Sequence, residues 1–413
     1  MAGRVILTDE WAYDRRAAVL DQGRLIAFFN DNAFDDTPRP GAVVAVRVAR
    51  VFPDRDRISA DLDGIPASLR LGRRQAPSPG QVILATVTAE PREGKPLQLR
   101  QGCFIEHRWF LADSTAGGLR LSQRLRQGGF TPPGGLEPSS CQITLRLGAA
   151  SAPPDTLMEE IRIADDRIRA IKAMPALKPG VFENGPDAIT TARQAFPDAE
   201  PVPGDDSTAW LQAGVDEQLE AALRPRVDLG GGGILHVSTP PGAAVFDGDS
   251  GDGDMTLRAL AAAMVPAIAR ALVLRRISGP VVADFPRLNP ADRKAIGASM
   301  VEAVEHDPLR PQCHGFEPGG LYTMTRPWRW RPLADLMAGD DRRLGLDALR
   351  LARAAAGGHD MAPAIRVPAS VLAWLEGEGA AARLAALKSL AISPRFLSDE
   401  GISRPVRDET ARS

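Results

Sequence analysis

The sequence predicts a multidomain protein that joins a β domain to an α/β domain. Between residues 41 and 100, short apolar runs are separated by Gly, Pro and Asp turn signals, a pattern typical of a small β barrel. From residue 231 onward, strand patterns alternate with helix patterns, as in α/β domains. A chain of 413 residues is long enough for several compact units, each with its own core.

Composition excludes several classes of protein. The net charge of −2 argues against general binding of polyanions, so contact with nucleic acid would need local basic patches. The first residues, MAGRVILTDEWAYDRR, lack the apolar segment of a secretory signal. No apolar run is expected to reach the roughly 18 to 20 residues of a membrane helix. The widely spaced cysteines (Cys103, Cys141 and Cys313) form no CxxC pattern, which favours a reducing, cytoplasmic location without a membrane segment.

The first half of the chain is predicted to be mainly strands. Residues 4–30 predict a strand, RVILTD, followed by a hairpin that bends at Asp21-Gln22-Gly23. The next five short runs, AVVAVRVARVF, RISADL, ASLRL, QVILATVTAE and PLQLR, suggest a closed barrel of the OB type. A helix, DTLMEEIRIADDRIRAIKAM, is predicted directly after Pro153-Pro154.

The second half is predicted to be α/β. ILHVS, AAVF and PVVADF have the composition of strands, and TLRALAAAMVPAIARALVLRR and NPADRKAIGASMVEAVEHD that of helices. The last 75 residues predict a small unit that contains the helical segments LGLDALRLARAA and VLAWLEGEGAAARLAALKSL.

Two carboxylates fall at the ends of neighbouring predicted strands, Asp247 after AAVF and Asp284 within PVVADF. In a strand–helix–strand unit both would emerge at one edge of the sheet. Two carboxylates plus waters are a usual protein contribution to a Mg²⁺ site, and such an ion can polarise a phosphodiester. Spacing alone leaves a second interpretation of DGDSGDGDM open, an acidic turn that caps the next helix.

Five segments, in this chain order, resemble the ribonuclease E/G family. The most specific is IARALVLRRISGPVVADF, residues 268–285, which is similar to the family's IARQLRLR…GG…VIDF. VFDGDS resembles the family's A-I-D-x-N-S loop. RRAAVLDQGRL, GQVILATVTAEPREGKPLQL and GLYTMTR resemble further family segments, so the resemblance extends over roughly residues 4–338.

The resemblance implies an α/β and β multidomain fold. An RNase H-like segment would carry an inserted S1/OB barrel and a 5′-sensor-like module, followed by a DNase I-like α/β catalytic subdomain and a small C-terminal α+β unit. The implied boundaries are a first RNase H-like segment at 1–40, the S1 (OB-fold) domain at 41–102, the 5′-sensor-like module at 103–178, a second RNase H-like segment at 179–228, the DNase I-like subdomain at 229–338 and the C-terminal domain at 339–413.

The resemblance also implies an activity, Mg²⁺-dependent endonucleolytic cleavage of single-stranded RNA in RNA processing or decay. A metal-activated water would leave 5′-phosphate and 3′-hydroxyl ends. Asp247 and Asp284 would hold the catalytic metal, and Asp249 replaces the family's asparagine. Aspartate is at least as good a ligand for hard cations, so we expect the site to survive, with Mn²⁺ able to replace Mg²⁺. Lys95 would contact the RNA backbone near the scissile phosphate.

The barrel departs from the family at its RNA-binding residues. The usual aromatic positions fall near Ser59, Leu62 and Ser68, and each lost base–aromatic stack removes about 1 to 3 kcal/mol of binding free energy. Either Trp109 or the segment WRWRP offers a replacement, and in the latter Trp328 could stack on bases while Arg329 neutralises phosphates. Its alternation fits a half-buried strand equally well.

The family's pocket for a 5′-monophosphate is also altered. Arg146 and Arg310 match two arginines of that pocket, but Leu147 replaces its threonine and Glu106 stands at its glycine position. A carboxylate repels a phosphate, so direct entry into RNA is expected instead of 5′-end sensing. A solvent-facing strand position is the alternative for Arg146.

The family's CPxCxG zinc link has no counterpart, since no cysteine follows GLYTMTR and a thiolate zinc site needs several ligands. We therefore expect neither zinc nor a zinc-linked tetramer, while a homodimer is left open. Two alternatives to RNA cleavage are also left open: a paralogue that binds RNA or regulates a ribonuclease without cutting, and an enzyme that cleaves another phosphodiester such as single-stranded DNA.

Overall fold

The computed structural model of the protein describes most of the chain, and its contacts divide the chain into two compact units. The described residues are 3–11, 13–32, 34–52, 56–70, 77–92, 94–174, 178–202, 207–356, 363–388, 390 and 393–408. Unit 1 consists of Met1–Asp36, Asp198–Arg326 and Pro332–Ser413, and unit 2 of Thr37–Pro197 and Pro327–Arg331.

An antiparallel meander opens unit 1. Its strands are β1 (Arg4–Trp11), β2 (Asp14–Asp21) and β3 (Arg24–Asn32). β1 pairs with β2, and β2 pairs with β3. The connection at Gln22 and Gly23 has left-handed backbone angles, with φ of 51° and 80°. The turn therefore lies where the sequence predicts it. The RVILTD strand, β1, pairs with the hairpin of β2 and β3.

A closed five-stranded barrel follows in unit 2, as predicted. Its strands are β4 (Val43–Phe52), β5 (Arg57–Leu62), β6 (Ile65–Arg70), β7 (Val82–Ala89) and β8 (Leu97–Gln101). β4 pairs with both β5 and β7, which closes the order β4-β5-β6-β8-β7 into a barrel. Val46, Ile58 and Leu99 belong to the apolar core that fills it. This arrangement fits the OB-like barrel that the sequence predicts.

The remainder of unit 2 is a helix on a small sheet, with one further strand and helix beside the barrel. The elements are β9 (Phe104–Glu106), β10 (Phe110–Asp113), β11 (Gly118–Leu121), α1 (Gln123–Gln127), β12 (Gln142–Leu145), α2 (Pro154–Lys172), β13 (Gly180–Glu183) and α3 (Ala188–Ala195). α2 confirms the predicted helix and packs its apolar side against Phe110 and Ile143. β13 pairs with β4, so residues 180–197 lie with the barrel, whereas the sequence groups 179–228 together.

The chain then returns to the meander of unit 1. The elements are β14 (Glu200–Pro201), α4 (Ser207–Gln212) and α5 (Val215–Leu223). β14 pairs in parallel with β1, and Trp210 and Leu219 share a buried core with Leu20 and Phe28. Two segments that are far apart in the chain therefore build one core.

A six-stranded sheet with two helices forms the centre of unit 1. The elements are β15 (Arg226–Gly230), β16 (Gly233–Ser238), β17 (Ala244–Asp249), α6 (Leu257–Leu274), β18 (Gly279–Asp284), α7 (Pro290–Ala303), β19 (Gln312–Phe316) and β20 (Tyr322–Arg326). The strand order is β15-β16-β17-β18-β20-β19. β17 and β18 are parallel, as their helical connection requires, and the other neighbours are antiparallel.

Helix α6 corrects one expectation. The sequence analysis expects no apolar run long enough for a membrane helix, but α6, with 18 residues, is long and apolar enough to cross a membrane by length and composition. Half of that window is buried, with Leu260, Met264 and Ile268 in the core beneath the six-stranded sheet. Its apolarity is accounted for by this packing, which core helices of globular proteins share.

The C-terminal region of unit 1 is a small α+β arrangement. Its elements are α8 (Leu333–Ala338), α9 (Asp341–Ala356), β21 (Ala364–Val367), α10 (Ala369–Glu376), α11 (Ala380–Lys388), β22 (Arg395–Ser398) and β23 (Val406–Arg407). Leu349, Trp374 and Phe396 belong to its core. α9 lies where the sequence predicts a helix, whereas the second predicted segment is divided at residues 377–379 into α10 and α11, and α8 is an additional helix.

Buried ion pairs join α9 to the meander. Arg350 donates to the carboxylates of Asp9 and Asp14, and Arg16 donates to Asp9 at 2.7 Å. All four side chains are less than a tenth exposed. Pairing of this kind is required because an isolated buried charge is strongly unfavourable.

Candidate catalytic face of the six-stranded sheet

Asp247 and Asp284 lie side by side on adjacent parallel strands. The register of β17 and β18 makes them direct partners, at a strand spacing of about 4.8 Å. Both side chains are exposed, and neither has a hydrogen-bond or ion-pair partner among the described residues. The structure therefore brings together the two carboxylates that the sequence selects, and leaves both accessible.

Strand alternation explains why these carboxylates face away from the core. Phe246 on β17 and Ala283 on β18 are buried against α6 and α7. Because successive side chains of a strand point to opposite faces, Asp247 and Asp284 lie on the face opposite to the helices. Asp249, two residues beyond Asp247, shares this face and is also exposed.

Asp249 has contacts of its own. One carboxylate oxygen accepts a hydrogen bond from the Gly251 backbone N–H at 2.9 Å. The other oxygen lies 4.0 Å from Nε2 of His236, a half-exposed side chain on β16. His236 is also the direct partner of Asp247 across β16 and β17. No local pattern singles out this histidine, because only the strand register places it there.

The loop after Asp249 is held by close backbone packing. A Cβ added at Gly253 would stand 2.1 Å from the carbonyl oxygen of Gly231, in the turn between β15 and β16. One added at Gly251 would stand 2.4 Å from the carbonyl oxygen of Gly232. The glycines at 230–233 and those of the GDG segment thus allow two loops to touch, which positions the end of β17.

The predicted helix cap lies elsewhere in the loop. Thr256 is the N-cap of α6 and accepts a hydrogen bond from the Ala259 N–H at 3.2 Å. The first turn of α6 contains no acidic residue. Gly251 and Asp252 do form a turn, as the turn-and-cap interpretation expects, but neither Asp252 nor Asp254 caps the helix.

The donor set of this face suits a hard cation. Asp247 and Asp284 offer carboxylate oxygens, which Mg²⁺ and Mn²⁺ prefer, and Mg²⁺ usually takes one or two carboxylates with waters or phosphate oxygens as its other ligands. No group of three or more His, Cys, Asp or Glu side chains is gathered around one point in the described part of the chain. Two adjacent carboxylates fit an ion that keeps most of its water.

Candidate RNA contacts in unit 2 differ in how accessible they are. Lys95 is exposed in the turn between β7 and β8, where its backbone exchanges two hydrogen bonds with Arg92. Ser59 and Ser68, at two of the barrel positions where the family has aromatic residues, face each other across β5 and β6. Ser59 is half-buried, Ser68 is buried and Leu62 lies in the barrel core. Trp109, one of the two expected replacements for the aromatic residues, is buried in the neighbouring core and is not accessible to bases.

Glu106 is paired with two of the predicted RNA-binding residues. Its carboxylate lies 3.0 Å from Arg329 and 3.9 Å from Arg146, so both guanidinium groups have a negative neighbour. Arg146 follows the end of β12 and is not a strand residue. The carboxylate therefore reduces the positive potential that a phosphate would encounter at Arg146.

The WRWRP segment is irregular, so the half-buried-strand interpretation is wrong. Its backbone is bound to the end of β7, since Glu90 donates from its N–H to the Arg329 carbonyl at 3.0 Å. Arg331 binds the Glu90 carboxylate at 3.3 Å, and Arg92 covers the Trp328 ring at 4.2 Å. These contacts hold Trp328 and Arg329 within unit 2 and leave one face of Trp328 already occupied by a cation.

Arg310 lies in unit 1, on the exposed connection between α7 and β19. Its backbone is left-handed, with φ of 51°, and its N–H donates to the Asp307 carbonyl. The neighbouring Asp307 forms a buried, two-pronged ion pair with Arg326 of β20, at 2.7 and 3.0 Å. The connection is thereby anchored to the sheet that carries the carboxylates.

The exposed face of the six-stranded sheet thus carries two paired carboxylates, with an acidic loop beside them. Residues 188–329 match the sequence model of the Ribonuclease E/G family, which confirms the resemblance over this segment. The matched range contains Asp247, Asp249 and Asp284, together with Arg310, Trp328 and Arg329. Lys95 and Arg146 lie outside it.

Curated relatives carry the name Ribonuclease G. That of Salmonella typhimurium (strain SL1344) is 30% identical over 119 residues, which is 27% of this chain and 24% of the relative. Those of Escherichia coli (strain K12) and Shigella flexneri are 29% identical over the same length and shares. The match therefore spans about a quarter of the length of these relatives.

Proposed function

We propose that this chain is a Mg²⁺-dependent endoribonuclease that acts on single-stranded RNA. The observation that carries the proposal is the pairing of Asp247 with Asp284 on the exposed face of the sheet, inside the segment that matches the Ribonuclease E/G family. The name Ribonuclease G of the partial relatives supports the same class of reaction.

The carboxylates would act as metal ligands. Asp247 and Asp284 would each donate an oxygen to Mg²⁺, with Mn²⁺ able to replace it, and Asp249 would add negative charge from two residues along β17. When bound, the ion would polarise the phosphodiester and lower the pKa of an attacking water. The strands and their core contacts would keep both carboxylates in place during the reaction, since a packed sheet cannot relax easily.

We infer that RNA enters without reading of its 5′ end. Glu106 offsets the charge of Arg146 and Arg329, and Leu147, which is 53% exposed, offers no hydrogen-bond donor. Lys95 would supply an exposed cation to the RNA backbone, while Arg310 would do so from unit 1. Binding by the barrel would be weaker than with aromatic residues at Ser59, Leu62 and Ser68.

Cleavage of labelled RNA tests the proposal. Purified protein with 5′-labelled single-stranded RNA and Mg²⁺ should give shorter products, and chelator should abolish them. Asp247→Asn and Asp284→Asn should each lower the rate by at least about a hundredfold, because each removes one anionic ligand. Asp252→Asn is the matched control, an exposed loop carboxylate on the same segment that should leave the rate unchanged.

A second function, RNA binding without cleavage, is favoured by the altered barrel and by the Glu106 pairs. The same experiment separates the two. RNA that binds but stays intact, or product formed equally by the wild type and both aspartate variants, would rule out the proposed catalytic role. A parallel reaction with single-stranded DNA decides whether the 2′-hydroxyl matters.

A further inference from the structure

Four residues in register form one row across the exposed face of the sheet. Arg226 of β15 is the partner of His236, His236 is the partner of Asp247, and Asp247 is the partner of Asp284. We name these four residues the charged row. It runs perpendicular to the strands, with two basic side chains leading directly to the two carboxylates.

The rows on either side differ from the charged row. On one side the partners are Ser238, Val245, Val282 and Thr323, none of which carries charge. On the other side Asp228 pairs with Ile234, and Ile234 with Asp249, so this row is acidic, and Asp249 lies 4.0 Å from Nε2 of His236. Arg226 and His236 are thus the basic side chains that adjoin the carboxylates in this part of the sheet.

Arg226 is available for a ligand. It lies on the edge strand, is exposed, and has no hydrogen-bond or ion-pair partner among the described residues. Arg16 and Arg326, in contrast, are buried and bound to aspartates. Two strand spacings separate Arg226 from Asp247, about 10 Å, which its long side chain can shorten.

We propose that Arg226 forms a phosphate-binding subsite for the RNA backbone, two strand spacings from the scissile phosphate. Single-stranded RNA would cross the sheet along the charged row, with its scissile phosphate at Asp247 and Asp284 and a neighbouring phosphate at Arg226. The row offers a continuous path because its members are separated by single strand spacings. This inference rests on the proposed function, since it uses RNA as the ligand of the face.

The salt dependence of RNA binding tests the role of Arg226. The probe is a short fluorescein-labelled single-stranded oligoribonucleotide, bound to the full chain in EDTA over a series of KCl concentrations so that no cleavage occurs. Arg226→Gln should weaken binding roughly fivefold to tenfold and reduce the slope of log Kobs against log salt by about 0.7, the value of one phosphate contact on a single strand. Its melting temperature should be unchanged.

Lys294→Gln is the matched control. Lys294 is an exposed cation on α7, which packs on the opposite face of the sheet, so the variant makes the same change in net charge away from the row. It should keep the wild-type slope.

Each outcome decides the proposal. The subsite is supported if the slope of log Kobs against log salt falls in Arg226→Gln and not in Lys294→Gln. Equal slopes in Arg226→Gln and the wild type, or equal losses in Arg226→Gln and Lys294→Gln, overturn it, as does a wild type that binds no RNA. If the wild type cuts RNA but Arg226→Gln binds normally, the subsite fails and the proposed function stands. If Arg226→Gln loses slope while no RNA is cut, the proposed function fails, and Arg226 is supported as a phosphate contact for RNA without a neighbouring cleavage site.

Discussion

Glu106 lowers the positive potential around two arginines that the sequence predicts to bind RNA. The sequence places it where the related pocket has a glycine, and the structure adds that it faces both Arg146 and Arg329. Its partner Arg329 lies more than 200 residues away in the chain. Exposed ion pairs contribute little to stability, so the main effect of Glu106 is on the potential around the arginines.

Glu106→Gln should create a preference for 5′-monophosphorylated RNA. Removal of the carboxylate raises the positive potential at Arg146 and Arg329, so affinity for 5′-phosphorylated over 5′-hydroxyl RNA should rise roughly twofold to fivefold. The wild type should show no preference. Glu183→Gln is the control, because it breaks another ion pair of unit 2, with Arg167 at 2.8 Å. A preference already present in the wild type would contradict the inference.

Among the structural elements, a contact between two loops positions the end of β17, which lies on the same face of the sheet as Asp247 and Asp284. β17 ends at Asp249, and the chain then crosses the β15–β16 turn at a distance that only glycine permits. Gly251 also has a left-handed φ of 59°. The acidic residues of this segment suggest a metal site, but its glycines determine where the end of β17 lies.

Gly253→Ala should displace this loop. Its Cβ would meet the Gly231 carbonyl oxygen at 2.1 Å, so the backbone must shift, at a cost of about 1 to 3 kcal/mol in the free energy of unfolding. Cleavage should fall as well, because Asp249 is bound to Gly251 in the same loop. Gly242→Ala, where nothing lies within 4 Å, should behave as wild type in urea unfolding and in cleavage. Equal behaviour of the two variants would argue against the contact.

At the scale of the whole molecule, buried ion pairs connect distant segments of unit 1. Burial alone would raise the pKa of Asp9, but Arg350 and Arg16 outweigh this and hold the pKa below its ordinary value. A carboxyl group whose pKa is depressed by folding contributes stability above its unfolded pKa of about 3.9. That contribution is lost as the pH falls through the lower, folded value.

Asp9→Asn should therefore be unstable at neutral pH and less sensitive to acid. Urea unfolding at pH 7 should show a loss of about 3 kcal/mol, because Arg350 and Arg16 stay buried with one anionic partner fewer, and keep Asp14 and Asp216 respectively. Below about pH 4 the wild type should lose stability more steeply than the variant. Asp198→Asn breaks an exposed pair with Arg4 and should cost less than about 1 kcal/mol. A wild type whose stability is flat below pH 4 would contradict the assignment.

The oligomeric state of the protein should not depend on a bound metal ion. Because no cysteine follows GLYTMTR, light scattering should give the same mass with and without chelator, whether the chain is a monomer or a homodimer. A tetramer that dissociates in chelator would show that zinc or another ion links the subunits.

Local pattern was sufficient for much of the architecture. The strands of the barrel, the helices α2, α6 and α7, and the approach of Asp247 to Asp284 follow from periodicity and from one strand–helix–strand connection. These features depend on residues close in sequence, or on a crossover whose geometry is tightly restricted. The predicted capping of α6 by acidic residues was wrong, because Thr256, which is not part of the acidic pattern, accepts the hydrogen bond from the Ala259 N–H.

Residues close in sequence, with the family resemblance that they carry, predict the barrel, the strand–helix–strand unit and the pair of carboxylates. They do not predict that Arg226 and His236 align with those carboxylates, that Glu106 pairs with two arginines, or that two glycine loops touch. Strand register and long-range pairing are set by the packing of whole cores. A shift of one residue in any strand would move its side chains to the other face, and no local pattern records which alignment the core selects.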